Sequence, residues 1–408
     1  MISLLLTLLL SSPACAQPPA VAGSTLAVAA PALKLVAEAD YPRFEESFKS
    51  KTGLIKAARK AIKYLEALPA TKTIRVADRD YGPAQLIDSA KAVIELAQKT
   101  KTSDEFDAKV RENFDVFQSI GLDGTGRVVF SSYYQPLLRA SLKKIEGYPY
   151  PLYRRPKDMV EVDLVAFGKT NGESSWLGRL TKDGKVIPYY TREEIDRRKA
   201  LAGKGLEIAW LKDRFDALDL HIQGSAILKL TSGKEVLAKY AGNNSKTYNS
   251  VGLTLVKAGV FTRDEITHDK LREYLRKNPD AESWILASNP RYVFFDLAAL
   301  PEDGEPFGAT EQSLVPARAI AIDPAFMPLG GLYFFSTTSP QTDKDGRLLG
   351  MSENTRFAFA LDTGGAIKSP GRVDIYAGHG PQAAATARGQ WADGKLYLLI
   401  KKLPPRER

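Results

Sequence analysis

Three observations predict a mainly β protein with an N-terminal helical region and a β domain that is interrupted by a long insertion. Apolar residues recur at helical spacing between about 41 and 114. From about 290 onward, short strand-like runs alternate with Gly-, Pro- and Asp-rich turns, which is typical of a barrel or sandwich. The stretch 126–136 has the same strand character but lies far upstream. The residues between these two parts are therefore expected to be inserted into one β domain.

The composition excludes several kinds of chemistry. The chain has 408 residues, of which 44% are hydrophobic and 26% charged, as in an ordinary globular protein. With three histidines and one cysteine, it cannot build a Cys/His zinc site, a disulfide framework or a Cys-ligated iron–sulfur cluster. We therefore expect carboxylates, hydroxyls, amides and basic groups to carry the chemistry, with no cofactor and no metal.

The first 16 residues predict a secretory signal peptide. Residues 2–10 form an apolar run that is too short to span a bilayer, and residues 14–16 resemble a cleavage site that leaves Gln17 first. The alternative is a lipid-modified Cys15, which would attach the mature protein to the outer membrane, although the preceding residues 12–14 match such a site poorly. Export to the periplasm or cell envelope is the favoured interpretation.

The formal net charge of +9 favours an anionic partner. For an exported protein, anionic polymers of the cell envelope are the partners that an excess of Lys and Arg attracts, and nucleic acid is not expected. The alternative is that this charge, spread over a large surface, only aids solubility.

The predicted elements follow in order along the chain. Residues 17–40 are rich in Ala and Pro and predict a flexible leader, and 41–125 form the helical region. The next predicted elements are a helix near 192–202 that opens with a capping box at Thr191 and Glu194, a strand at 220–230, a turn at Ser232-Gly233, a helix near 246–258, and a helix near 263–277 with a capping box at Thr262 and Glu265.

The densest candidate for chemistry lies between Asp362 and Asp374. Period-2 alternation places Asp362 at the end of a strand, before a double-glycine turn, and places Asp374 on the same face as Arg372 of the next strand. Paired carboxylates push their pKa values apart, so that one can stay protonated as a general acid. Lys368 lies close by in sequence. The alternative is a turn-forming aspartate beside an ordinary salt bridge.

With these residues in place, the chain resembles the membrane-bound lytic murein transglycosylase A family. The first 125 residues match the family poorly, and Gln135 and Ser131-Ser132 depart from its pattern. The matching segments keep the family's order and are residues 132–136, 148–156, 191–195, 222–225, 240–244, 289–295, 315–316, 322–324, 328–330, 362–368 and 374–376.

The resemblance implies a double-psi β-barrel that is interrupted by an inserted mixed, mainly β domain, with a glycan groove between them. The implied domains are a barrel catalytic domain at 126–138 plus 290–403 and an inserted substrate-groove domain at 139–289.

The resemblance also implies an activity. Such enzymes cleave the β-1,4 bond between N-acetylmuramic acid and N-acetylglucosamine without water, because the muramic C6 hydroxyl attacks C1 and leaves a 1,6-anhydro end. Since the nucleophile is part of the sugar, one carboxylic acid suffices. The matching positions make Asp374 the general acid and then base, with Asp362 shaping the site and helping to raise the pKa of Asp374. The reversed assignment stays open.

The implied partners are peptidoglycan glycan strands. An outer-membrane association, through Cys15 in the less favoured alternative given above, and protein partners in a wall-remodelling complex stay open. Two other functions stay open: a non-catalytic, expansin-like peptidoglycan-binding barrel, and a murein hydrolase that uses both aspartates. The implied substrate-binding residues, with Tyr134 as a stacking surface, are Tyr134, Gln135, Gln223, Gly224, Ser225, Gly364, Gly365, Lys368 and Arg372.

Overall fold

The structure is a computed structural model, and it describes residues 32–45, 51–164, 166–168, 175–343 and 345–403. The predicted signal peptide, Cys15 and the leader up to residue 31 lie outside these residues. Among the helices that the structure describes, none combines the length and the apolar character needed to cross a membrane.

The described residues form strands and helices that are numbered here in chain order. The strands are β1 (Leu33–Leu35), β2 (Ile74–Val76), β3 (Arg79–Tyr81), β4 (Phe114–Ser119), β5 (Val128–Gln135), β6 (Leu137–Ser141), β7 (Tyr150–Tyr153), β8 (Met159–Asp163), β9 (Ser175–Leu180), β10 (Val186–Pro188), β11 (Glu207–Leu211), β12 (Ala226–Leu230), β13 (Glu235–Asn243), β14 (Val293–Ala298), β15 (Ala319–Ala321), β16 (Leu332–Thr342), β17 (Leu348–Asp362), β18 (Arg372–His379) and β19 (Trp391–Lys401). The helices are α1 (Lys51–Glu66), α2 (Pro83–Lys99), α3 (Ser103–Asn113), α4 (Arg192–Asp196), α5 (Arg214–Gln223), α6 (Val251–Lys257), α7 (His268–Lys277), α8 (Pro279–Ala287) and α9 (Gly380–Gly389), with a 3-10 turn at Glu38–Asp40.

Six strands close into a barrel in the order β19-β16-β17-β15-β18-β5, and pairing between β5 and β19 completes the ring. β5 runs parallel to β18, and β15 runs parallel to β17, while the other neighbours are antiparallel. Five of these strands come from the C-terminal part of the chain, and β5 comes from far upstream. The predicted mainly β fold with an interrupted barrel is thereby confirmed.

The chain leaves the barrel after β5 and builds a second, nearly closed sheet before it returns. That sheet has the order β14-β13-β12-β6-β11-β7, and a separate sheet of β10, β9 and β8 lies in the same part of the chain. Because β6 follows β5 after a single residue, the position of the second sheet is tied directly to the barrel wall.

Two apolar clusters explain why the barrel strands are hydrophobic on both faces. One cluster takes residues from all six barrel strands, such as Phe130, Phe335 and Ile375, and fills the barrel. The other takes residues of the opposite parity, such as Phe357, and packs them against α1, α2 and α3. The N-terminal helices therefore cover part of the outer face of the barrel. Asp374, which lies between two interior residues of β18, projects outward as well.

Two predictions in the N-terminal part of the chain were wrong in detail. The leader was expected to be flexible through residue 40, but β1 pairs with β4 and buries Leu33. Residues 114–119 were placed in the helical region, but they form β4, which extends the barrel sheet beside β19. Tertiary pairing with a long neighbouring strand overrides the weak local pattern of these short segments.

The predicted strand at 220–230 begins six residues later than expected. Residues 220–223 end α5, because Asp213 accepts a hydrogen bond from the N–H of Phe215 at its start and Gly224 closes it at φ 82°. A second helix, α9, interrupts the C-terminal region that was expected to be almost wholly β.

The capping-box predictions had mixed outcomes. Thr191 and Glu194 form the predicted box, but α4 ends at Asp196 rather than near 202. Thr262 also bonds to Glu265, yet these residues precede a turn, and α7 begins only at His268. The helix expected near 246–258 is the shorter α6.

Gly394→Ala tests the barrel seam, which is the point in β19 where pairing with β5 (residues 391–394) ends and pairing with β16 (residues 395–399) begins. A Cβ at this position would meet the Ser336 carbonyl oxygen and lie 2.8 Å from Phe130 Cε2, and neither neighbour is free to move. We expect the substitution to lower the free energy of unfolding by about 1–3 kcal/mol. The measurement is urea unfolding.

Gly53→Ala in α1 is the matched control, because its Cβ would make an ordinary 3.5 Å contact with Arg318 Cγ. Alanine is favoured over glycine inside a helix by about 0.5–1 kcal/mol, so this variant should be slightly more stable. Equal effects of the two substitutions would contradict the assignment of the seam.

Candidate active site

A groove with a volume of about 990 Å³ lies between the barrel and the second sheet. The barrel side of the chain contributes Tyr133, Asp323, Asp362, Thr363, Gly364, Gly365 and Lys368, and the inserted part contributes Trp176, Gln223, Gly224, Ser225, Lys239, Tyr240, Asn243, Lys246 and Arg291, among others. A cavity of this size, with polar groups on both walls, suits an extended polar ligand.

The topology brings the two predicted carboxylates together at the barrel wall. Asp362 ends β17 and Asp374 lies in β18, and both pair in register with Ala321 of the intervening strand β15. Two strand spacings separate their backbones by about 10 Å. The carboxylates are close enough for the charge of Asp362 to raise the pKa of Asp374.

Asp374 has the environment of a carboxylic acid that keeps its proton well above the usual pH range of an aspartic acid. Burial raises its pKa from 3.8 to about 6, against the opposing effects of a hydrogen bond from Ser131 and the charge of Arg372. Ser131 Oγ donates to Asp374 Oδ1 at 2.9 Å, and Arg372 Nη2 donates to Ser131 Oγ at 2.9 Å. Asp374 is half-buried and lies beside the groove lining rather than within it.

Asp362 lines the groove and is held by three donors. Tyr133 Oη donates to Oδ2 at 2.7 Å, and the backbone N–H groups of Thr363 and Ala309 donate to Oδ1, each at 2.9 Å. Burial raises the pKa of Asp362, and these three hydrogen bonds oppose the rise because they favour the carboxylate. The two aspartates therefore differ in the number of groups that stabilise their ionised forms.

Tyr133 is a site residue that the sequence analysis missed. Burial and the neighbouring Asp362 raise the pKa of Tyr133, so its hydroxyl stays protonated and donates. The available signal was the alternation along β5, which places Ser131 and Tyr133 on one face, and this is the face on which Asp374 of the neighbouring strand β18 projects. The neighbouring Tyr134 was chosen instead.

Six of the nine predicted substrate-binding residues line the groove, and three do not. The six are Gln223, Gly224, Ser225, Gly364, Gly365 and Lys368. Tyr134 is buried and donates to Asp219 Oδ2 at 2.7 Å, so its ring is not an open stacking surface. Gln135 is buried as well, and Arg372 packs over the ring of Trp391 while it bonds to Ser131.

Gln223 is fixed in the groove by contacts that cross from the inserted part to the barrel. Its Oε1 accepts from the backbone N–H of Tyr134 at 3.2 Å, and its Nε2 donates to Asp219 Oδ1 at 3.3 Å. Because Asp219 also accepts from Tyr134, the three residues form a closed set of hydrogen bonds. The end of α5 is thereby joined to β5 next to Tyr133.

Comparison with protein-family models matches residues 129–296 to the MltA specific insert domain and residues 318–400 to the 3D domain. Two curated relatives are both named membrane-bound lytic murein transglycosylase A. The protein from Vibrio cholerae is 28% identical over 282 residues, covering 68% of this chain and 67% of the relative. The protein from Escherichia coli K12 is 28% identical over 288 residues, covering 70% and 69%.

Solved structures show the same fold. The crystal structure of a membrane-bound lytic murein transglycosylase from Agrobacterium tumefaciens is 26% identical, with a TM-score of 0.71, and the match covers 91% of this chain and 98% of that one. A crystal structure of E. coli MltA with bound chitohexaose is 22% identical, with a TM-score of 0.68, and covers 92% and 96%.

Asp374→Asn tests the protonation of Asp374 through stability. Between pH 3.8 and about 6 the folded protein holds a proton on Asp374 that the unfolded chain releases, so this group's contribution to stability is lost as the pH rises through that window. Asparagine removes the poorly solvated charge and can still accept from Ser131. We therefore expect the variant to have a higher Tm than the unaltered protein at pH 7 and a much smaller difference at pH 4.

Asp345→Asn, at an exposed position in the turn between β16 and β17, is the control for the loss of one carboxylate. A lower Tm of Asp374→Asn at pH 7 would show that the carboxylate is stabilised rather than strained there.

Proposed function

This chain belongs to the membrane-bound lytic murein transglycosylase A family, and on that premise we propose that it is a peptidoglycan lytic transglycosylase that leaves 1,6-anhydro-N-acetylmuramic acid ends. The substrate bond is the β-1,4 bond from N-acetylmuramic acid to N-acetylglucosamine. The observation that carries the proposal is Asp374, whose pKa of about 6 lets one carboxyl group act first as an acid and then as a base.

In the first step, the protonated Asp374 gives its proton to the glycosidic oxygen while the bond from that oxygen to C1 of the muramic acid breaks. In the second step, the resulting carboxylate takes the proton of the C6 hydroxyl as O6 bonds to C1. Asp374 ends as it began, protonated, and no water is consumed. Because the nucleophile is held within the sugar, positioning replaces the second carboxylate of a hydrolase.

Asp362 is proposed to act through its charge and its place in the groove. Its three hydrogen bonds favour the carboxylate, and a carboxylate beside Asp374 raises the pKa of that acid. The same negative charge faces the groove, where it would stabilise positive charge that develops at C1 as the bond breaks. Tyr133 holds this carboxylate in place.

The groove residues on both walls are proposed to bind the glycan strand. Gln223 and Ser225 offer amide and hydroxyl groups to the hydroxyls and acetamido groups of the sugars, and Trp176 and Tyr240 are exposed aromatic rings in the same groove. A location in the cell envelope belongs to the same proposal, since the curated relatives are named membrane-bound.

Asp374→Asn is expected to abolish the release of anhydro-muropeptides from purified peptidoglycan, because asparagine can neither give nor take the proton. A loss of at least about a hundredfold is expected for a general acid–base residue. Soluble products are analysed by mass spectrometry, with Asp345→Asn as the control that keeps full activity.

Retained anhydro-product formation in a folded Asp374→Asn protein would overturn its role and favour Asp362 as the acid. Fully hydrated reducing ends from the unaltered protein would indicate a hydrolase, and binding without any release would indicate an expansin-like binding protein.

Ser131→Ala is expected to move the alkaline limb of the kcat/KM profile to higher pH. The acid form of Asp374 is the active form of the free enzyme, so activity falls as the pH rises through about 6. Removing the Ser131 hydrogen bond destabilises the carboxylate and raises the pKa further. The control is Ser132→Ala, because the Ser132 hydroxyl donates to the backbone oxygen of Ile375 instead. A limb that stays in place in Ser131→Ala would contradict the assignment.

A further inference from the structure

Arg291 brings a guanidinium group into the groove that no carboxylate of the described residues neutralises. It lies just before β14, on the inserted side of the groove, and is half-buried. Nη1 donates to the backbone oxygen of Lys246 at 3.3 Å, and no ion pair involves Arg291 within the described ranges. By contrast, Lys239 in the same groove is paired with Glu311.

The guanidinium of Arg291 lies flat against the glycine loop that follows Asp362. A Cβ added to Gly365 would stand 2.7 Å from Nη2, 2.9 Å from Cζ and 3.2 Å from Nε of Arg291. Since residue 365 carries no side chain, the guanidinium can occupy this position, and a side chain at residue 365 would displace it. The cationic group is thereby held three residues along the chain from Asp362, at the wall that carries the proposed chemistry.

Most N–H donors of the Arg291 guanidinium have no acceptor among the described residues. A guanidinium has five N–H donors in a planar fork, and one of them has an acceptor here among the described residues. Burial lowers the pKa of Arg291, against an opposing effect of Tyr240. A planar anion that entered the groove would supply the missing acceptors, and a carboxylate matches the fork with two parallel hydrogen bonds.

We propose that Arg291 recognises a carboxylate of the bound glycan strand. This inference rests on the proposed function and names the chemical group of the substrate that Arg291 binds. Murein strands carry carboxylates from two sources: the lactyl group of muramic acid when the stem peptide has been removed, and the stem peptide when it is present. A chito-oligosaccharide has the same backbone linkage but carries no carboxylate.

The experiment compares three ligands by calorimetry in the Asp374→Asn background, which prevents turnover. The ligands are chitohexaose, a murein glycan stripped of peptides, and a murein glycan with its stems. Arg291→Gln should weaken binding of at least one carboxylate-bearing strand by about ten- to a hundredfold, the usual value of a charge-assisted hydrogen-bond pair, and should leave chitohexaose binding nearly unchanged.

Arg291→Lys keeps the charge but loses the fork, so its loss should be intermediate. Arg347→Gln removes one positive charge from the exposed turn before β17 and should change none of the three affinities. Circular dichroism and thermal unfolding establish that each variant is folded.

A selective loss for the stripped strand identifies the lactyl carboxylate as the group bound, and a selective loss for the strand with stems identifies a peptide carboxylate. Equal losses for all three ligands, or no loss, overturn the inference while the proposed function stands. If the protein with intact Arg291 binds none of the three ligands, the proposed function fails and the inference fails with it.

Discussion

The pairing of β5 with both β18 and β19 is the contact on which the rest of the molecule depends. It closes the barrel with a strand that comes from far upstream in the chain. The same strand places Ser131 beside Asp374 and Tyr133 beside Asp362. These two hydrogen bonds therefore form only when β5 closes the barrel. Because the chain enters the second sheet directly after β5, the opposite wall of the groove is positioned by this strand too.

The site places two aspartates, Asp362 and Asp374, in surroundings that differ in their hydrogen-bond donors and nearby charges. Burial raises the pKa of both carboxyl groups. Three hydrogen-bond donors oppose this rise at Asp362, whereas the Ser131 hydroxyl and the nearby Arg372 guanidinium oppose it at Asp374. A protein without a Cys/His metal site can still hold a proton up to about pH 6 in this way, since desolvation of one acid beside another raises its pKa. The few histidines and the single cysteine of the sequence are compatible with such chemistry.

Much of the fold and part of the site could be predicted from the sequence, because period-2 alternation is a local signal. It placed Asp362 at a strand end and put Asp374 on the same face as Arg372 of the next strand, while the upstream strand was predicted from its strand-like residues. Tyr133 was missed because its role depends on the pairing of β5 with the distant strand β18, which places its side chain beside Asp362. Residues 220–223 were misassigned because an apolar run suits a helix end as well as a strand. Trp176 and Arg291 could not be found, since their place in the groove results from packing between distant segments.

The covered outer face of the barrel has a consequence for how this chain can be divided. The region 318–400 matches a domain model by itself, yet it holds five of the six barrel strands and lacks β5. As an isolated fragment, this region would expose the edges of β18 and β19 that pair with β5 in the whole protein. It would also expose the outward-facing aromatic residues of the barrel strands that α1, α2 and α3 cover. Open strand edges beside an uncovered apolar surface promote aggregation. We therefore expect residues 318–400 to need β5 and the N-terminal helices in order to fold stably.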